Sequence, residues 1–325
     1  MRPPTVLVTG VGAVIGYGIV RSLRRLESPP RILGMDINPD AVGRAWCDAF
    51  VPAVPAKAPE YEGFIRKTVS AHGVDLLIPG IEQDVARLSA DRHLLAECGA
   101  VLALNSAELI ETAAVKWRTH EALTRAGLPT IATRIDGEFA ELAQALGLPF
   151  LLKPRRSYAS KGIQRIEDER DLAYWRAKLG PDFMAQEIVG TDEEEYTVAA
   201  FGYGDGRSSR QIAFRRRLSG EGATRWARVE ARPDVEREVS RLVDLFRPIG
   251  PTNFQFRRHR GAVLLLEINP RISSSTSLRA AFGFNEAAMC IAYYLEGRTP
   301  EAPELRSGFA VRYIEDLIVY DRDHC

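Results

Sequence analysis

The run Leu264-Leu265-Leu266-Glu267-Ile268-Asn269-Pro270-Arg271 is an apolar stretch ending in a carboxylate, an amide and a guanidinium. Read as a strand, its period of two sends Glu267 and Asn269 to the same face. Upstream, Asn253-Phe254-Gln255-Phe256 reads as a second strand. A hairpin through His259-Arg260-Gly261 would set Gln255 beside Glu267. Three hard oxygen donors then converge. One glutamate and two amides suit magnesium, which takes one or two carboxylates and leaves its other positions to water and substrate phosphates. A capped strand end is the ordinary alternative for any one of these residues, but the set with Arg271 points to a metal and phosphate site.

Cations that could meet such phosphates are spread along the chain. Pro149-Phe150-Leu151-Leu152-Lys153-Pro154 is an apolar strand with a lysine near its end, and a lysine in that setting calls for an anion. The segment Arg155 to Gly162 follows with three cations and one glycine. Its Ser157, Ser160 and Gly162 offer donors and backbone freedom. Arg215-Arg216-Arg217 closes another strand, where alternation keeps all three from facing one way. Arg217 is the one expected to point inward, with Ser219 to Arg225 as a loop reaching the reacting group. Arg279 is a further candidate, able to grip a substrate carboxylate by a two-pronged contact.

Glu267-Ile268-Asn269-Pro270-Arg271, followed by Ile272-Ser273-Ser274-Ser275 and Ala280-Ala281-Phe282-Gly283, resembles the ATP-grasp ligases in their carbamoyl-phosphate-synthase-like style. The chain has length for only one such synthetase unit. The resemblance implies that Glu267 bridges two magnesium ions, with manganese as a substitute. Asn269 and Gln255 would hold one ion each and Arg271 would contact phosphate. It extends to Lys116-Trp117-Arg118-Thr119-His120-Glu121-Ala122-Leu123, where Lys116 would touch the triphosphate, and it places Lys153 on the α-phosphate. The segment 155–162 would be a lid, stiffer and more electropositive than the family's glycine-rich lids. Backbone groups at Glu187, Ile188 and Val189 would read the adenine edge, and Glu195 would hold the ribose. The implied reaction moves the γ-phosphoryl of ATP onto a small-molecule carboxylate, and an amine then displaces phosphate from the acyl phosphate. The protein itself needs no nucleophile.

The elements that must position these residues begin with Thr5-Val6-Leu7-Val8, a glycine turn from Gly10 to Gly16, a helix from Ile15 to Leu26, and strands at Arg31 to Met35 and Asp75 to Ile78. This alternation predicts a parallel doubly wound sheet. Asp36 closes the second strand where a ribose-binding acid would sit, so an NAD(P)-dependent oxidoreductase is one alternative. The third glycine falls one position late for G-x-G-x-x-G, and tight strand-to-helix packing is the other reading. A nucleotide-binding protein without turnover is a third possibility for the chain.

The stretch Val51 to Pro59 reads as a surface loop. Helical periodicity runs from an N-cap at Ser106 to Ala126, with Gly127 as its stop. Closely spaced strands follow, and a helix from Asp234 to Phe246 precedes the hairpin. The expected architecture is an α/β Rossmann-like (pre-ATP-grasp) domain over 1–113, then an α+β ATP-grasp fold with a small subdomain over 114–190 and a large one over 191–325.

Composition sets bounds on partners. The chain of 325 residues carries 43 basic and 43 acidic residues, so no global field draws nucleic acid or an anionic membrane. Four scattered cysteines lack zinc-ligand spacing and read as reduced thiols. No run is long and apolar enough for a bilayer. A cytoplasmic enzyme is expected, with a homodimer as its candidate assembly.

Overall fold

Short apolar runs punctuated by glycine and proline give five parallel strands: β1 (Thr5–Thr9), β2 (Arg31–Asp36), β3 (Ala49–Pro52), β4 (Leu76–Ile78) and β5 (Val101–Leu102), in the order β3-β2-β1-β4-β5. The computed structural model describes residues 2–156, 162–220 and 222–319; Ser157 and Ser160 lie outside them. Strand alternation divides β1 between two cores. Leu7 joins Tyr61, Ile65 and Val69 of the helix Tyr61–His72. Val6 and Val8 face Phe201, Phe214, Phe284 and Cys290 from far along the chain. Burial on both faces is why these strands read as unbroken apolar runs. β3 takes the start of the stretch expected to be a loop, since an edge strand tolerates Pro52.

The glycine turn after β1 is a packing device. A Cβ on Gly16 would stand 2.1 Å from the Gly10 carbonyl oxygen, so the helix Val14–Leu23 can start only with glycine there. Asp36 spends both oxygens locally, Oδ2 on the Gly12 N–H and Oδ1 on the Asn38 N–H, each at 2.8 Å.

Ser106 caps the next helix, its Oγ accepting from the Leu109 N–H at 3.1 Å. That helix ends at Ala114 instead of running to Ala126. Val115 is extended, and a second helix, Lys116–Arg125, begins after it. The Lys116 N–H donates to the Arg155 carbonyl at 2.9 Å, a tertiary partner outside the helical ladder.

Two antiparallel sheets follow. The smaller has β6 (Thr133–Arg134), β7 (Phe150–Pro154), β8 (Gln164–Ile166) and β9 (Phe183–Glu187), ordered β6-β9-β7-β8. The larger has β10 (Glu195–Tyr203), β11 (Ile212–Leu218), β12 (Thr224–Val229), β13 (Ile249–His259), β14 (Ala262–Asn269) and β15 (Phe309–Val311), ordered β14-β13-β10-β11-β12-β15. The expected loop from Ser219 to Arg225 is a tight connection into β12, in which the Ser219 N–H donates to the Ala223 carbonyl at 2.7 Å. Arg260 and Gly261 both have positive φ, which matches the twist of the β13–β14 hairpin. The helix Pro233–Phe246 covers one face of the larger sheet, and the first domain covers part of the other. Among the described residues, no helix is long and apolar enough to cross a membrane.

Candidate active site

Register builds the site. Gln255 pairs with Glu267, and Asn253 with Asn269, across β13 and β14. Thr197 pairs with Gln255, and Glu195 with Arg257, across β10 and β13. Period two therefore gathers Glu195, Thr197, Asn253, Gln255, Arg257, Glu267 and Asn269 on one face of the larger sheet. A bulge leaves Leu266 without a partner beside Glu267, an irregularity of the kind found next to functional sites.

The lysines come from other elements. Lys153 on β7 is buried, its Nζ donating to Gln186 Oε1 at 2.6 Å, and Gln186 in turn donates to Thr133 Oγ1 at 3.0 Å. Burial, reinforced by the nearby charge of Lys116, brings the Lys153 ammonium down to about 8, while Glu267 opposes that shift. Lys116 is lowered as well, chiefly by burial, with Glu267 and Glu82 countering. A cleft of about 170 Å³ lies between the sheets, lined by Lys116, Lys153, Glu187, Val189, Gln255 and Glu267 among others. Ile188 and Glu195 line it too. Gly162, with positive φ, sits against Pro154 at the end of β7.

The amide oxygens are held in place by arginines. Arg216 Nη2 donates to Gln255 Oε1 at 2.8 Å, and Arg271 Nη2 donates to Asn269 Oδ1 at 2.9 Å. A carbonyl oxygen has two lone pairs, so each keeps one for a cation. With Glu267 as the carboxylate, the set fits magnesium, which takes few carboxylates. Among the described residues no group of three His, Cys, Asp or Glu forms a competing metal site.

Three expectations are corrected here. Arg217 points outward, 59% exposed, and pairs with Glu193 at 2.6 Å. Arg216 is the inward one, because register sets Arg215 opposite Tyr196 and so Arg216 beside Glu195. Arg279 does not reach the cleft. It is fully buried, donating to Ser273 Oγ at 2.8 Å, Thr197 Oγ1 at 3.1 Å and Asn253 Oδ1 at 2.5 Å, and pairing with Glu286 at 3.4 Å. Glu195 lines the cleft, yet its carboxylate is already taken, Oε1 by Arg216 at 2.9 Å and Oε2 by Arg257 at 3.0 Å.

Sequence reasoning missed Arg216, Arg257, Gln186 and Glu82. Arg271 Nε donates to Glu82 Oε2 at 2.5 Å, joining the first domain to the site. Glu82 opens a helix straight after Pro79-Gly80 at a strand end, where sheets of this kind place ligand contacts. That position was its available signal.

A family model described as "ATP-grasp in the biosynthetic pathway with Ter operon" matches residues 180–317. The chain is 28% identical over 191 residues to uncharacterized protein y4rH of Sinorhizobium fredii, covering 52% of this chain and 38% of that one. It is 30% identical over 182 residues to D-alanine–D-alanine ligase A of Brucella suis, covering 53% of this chain and 47% of that one. The chain thus spans less than half the length of these relatives. Among solved structures, N5-carboxyaminoimidazole synthetase from Staphylococcus aureus complexed with ADP superposes with a TM-score of 0.72 at 17% identity, over 94% of this chain and 81% of that one. Residues 180–317 thus match an ATP-grasp family model, and the chain as a whole shares its fold with a solved synthetase.

Proposed function

We propose that the chain is an ATP-dependent carboxylate–amine ligase that activates a carboxylate as an acyl phosphate and releases ADP and phosphate. One observation carries this reading: the buried Lys153 and the half-buried Lys116 line one cleft with Gln255 and Glu267. The Lys153 ammonium donates to a neutral amide, Gln186 Oε1; a buried ammonium is costly without an anion, and a polyphosphate would supply one. The D-alanine–D-alanine ligases among the relatives support an amine as the second substrate.

In this reading Lys116 and Lys153 bind the phosphates. The hinge from Glu187 to Val189 faces the adenine, and Gln255, Glu267 and Asn269 would hold magnesium, with manganese as a substitute. Bound nucleotide and metal would supply the transferable phosphoryl group and offset its charge. Arg271, fixed between Glu82 and Asn269, presents a cation where two anionic groups must approach each other.

The test measures ADP and phosphate release with pools of carboxylates and amines, supplied singly and together. Release only when both are present, abolished in Glu267→Gln, is the expected result. Turnover that survives Glu267→Gln would remove the metal assignment.

A further inference from the structure

We infer that Glu82 is the docking group for the ammonium of the acceptor amine, and that the hollow beginning at Glu82 takes an apolar body on that amine. The inference rests on the ligase reading and narrows its second substrate. Glu82 opens the helix Glu82–Ala90 of the first domain and meets Arg271, which follows β14 of the larger sheet. It is two links from a candidate metal donor, since Arg271 donates both to Glu82 at 2.5 Å and to Asn269 at 2.9 Å. Lys116 also feels its charge.

From Glu82 a hollow of about 570 Å³ runs between the helices Glu82–Ala90 and Ala107–Ala114. Ala86, Ala90, Ala107 and Ile110 make its wall apolar, and Arg156, held by Glu111 at 2.7 Å, lines it as well. That volume lies in the range of small-molecule pockets, which combine an apolar lining with few polar anchors.

Glu82 now satisfies Arg271. A phosphate arriving at Arg271 competes for the same guanidinium. The released carboxylate, about a third exposed, is then left without its cation, and a primary ammonium restores the pairing. Nucleotide binds first and the amine second. The two ligands therefore respond to Glu82 with opposite signs: removing its charge frees Arg271 for phosphate and removes the partner of the amine.

The probes are L-leucinamide, with an apolar body, and L-serinamide, a polar counterpart, titrated calorimetrically into the full chain with and without MgADP. Leucinamide is expected to bind at least tenfold more tightly than serinamide, and only with MgADP present. Glu82→Gln should weaken leucinamide at least tenfold while MgADP binds as well or better. Ala86→Trp, at an exposed helical position, should weaken leucinamide by filling the hollow. Equal binding of the two amides, or a Glu82→Gln variant that weakens MgADP and spares leucinamide, overturns the inference. If MgADP fails to bind the parent protein, the ligase reading falls with it; if MgADP binds and the amides are not told apart, the acceptor assignment alone falls.

Discussion

The Glu195 carboxylate and the Arg216 guanidinium meet at 2.9 Å with each side chain 5% exposed, and the same guanidinium reaches Gln255 Oε1 at 2.8 Å. A candidate metal donor is thus oriented by a buried ion pair, whose second carboxylate oxygen is held by Arg257 at 3.0 Å. The amide of Gln255 could rotate freely without Arg216. With it, Oε1 is held by the guanidinium and keeps one lone pair for a cation.

Arg216 and Arg217 should therefore behave in opposite ways. Arg216→Met leaves Glu195 buried with one cation fewer, and a loss of about 3 kcal/mol is expected from breaking such a pair. Arg217→Met removes an exposed pair with Glu193 and should cost under about 0.5 kcal/mol. Urea denaturation of both variants checks this. Nucleotide turnover should collapse only in Arg216→Met.

Lys153 gives a pH signature. Its ammonium loses its proton near 8, since burial and Lys116 disfavour the charge, and a polyphosphate prefers the charged form. Below about 8 the free protein presents the cation; above it the proton must be recovered on binding. MgADP affinity should then fall with rising pH across this value, by up to about tenfold per unit. Calorimetry from pH 7 to 9 should show the fall in the parent and a flatter profile in Lys153→Met.

The juxtaposition of the candidate donors Gln255 and Glu267 was legible because they lie on one hairpin, where period two and a two-residue turn fix which side chains meet. Arginine selection was not legible in the same way. Alternation says that Arg216 opposes Arg215 and Arg217, but only pairing with Tyr196 on another strand says which parity faces inward. The break at Val115 was likewise hidden, because periodicity on both sides of it is helical and the residue that redirects the chain, Arg155, is 39 positions from Lys116 along the chain. Arg279, in its serine-rich stretch, reads as a cation free to grip a substrate carboxylate. Its burial depends on Thr197 and Asn253, more than 25 positions away, and on Glu286, a helical turn or two along.

Arg279 and Glu286 should be coupled. Both are fully buried, and Arg279→Met leaves Glu286 without its cation, where burial already raises the carboxyl above its ordinary value. A loss of about 4 kcal/mol is expected for the single variant. Arg279→Met with Glu286→Leu should recover part of it, because the pair is then replaced by apolar groups. A double-mutant cycle by denaturation measures the coupling; additive losses would mean that the pair does not act as one unit.

The glycine turn provides the last prediction, and it separates packing from dinucleotide binding. A Cβ at Gly16 would sit 2.1 Å from the Gly10 oxygen and 2.8 Å from the Thr9 oxygen, both backbone atoms that cannot step aside. Gly16→Ala should cost about 3 kcal/mol, at the upper end for overpacking. Gly63, in the helix Tyr61–His72, has no neighbour within 4 Å of such a Cβ. Gly63→Ala should instead gain about 0.5 kcal/mol from helix propensity. Urea midpoints compare the two, and NADH fluorescence on titration with parent protein completes the test. Asp36 accepts from Gly12 and Asn38, and the third glycine falls one position late for a pyrophosphate turn, so no change in NADH emission is expected. Saturable NADH binding that is lost in Gly16→Ala would return the turn to a cofactor role.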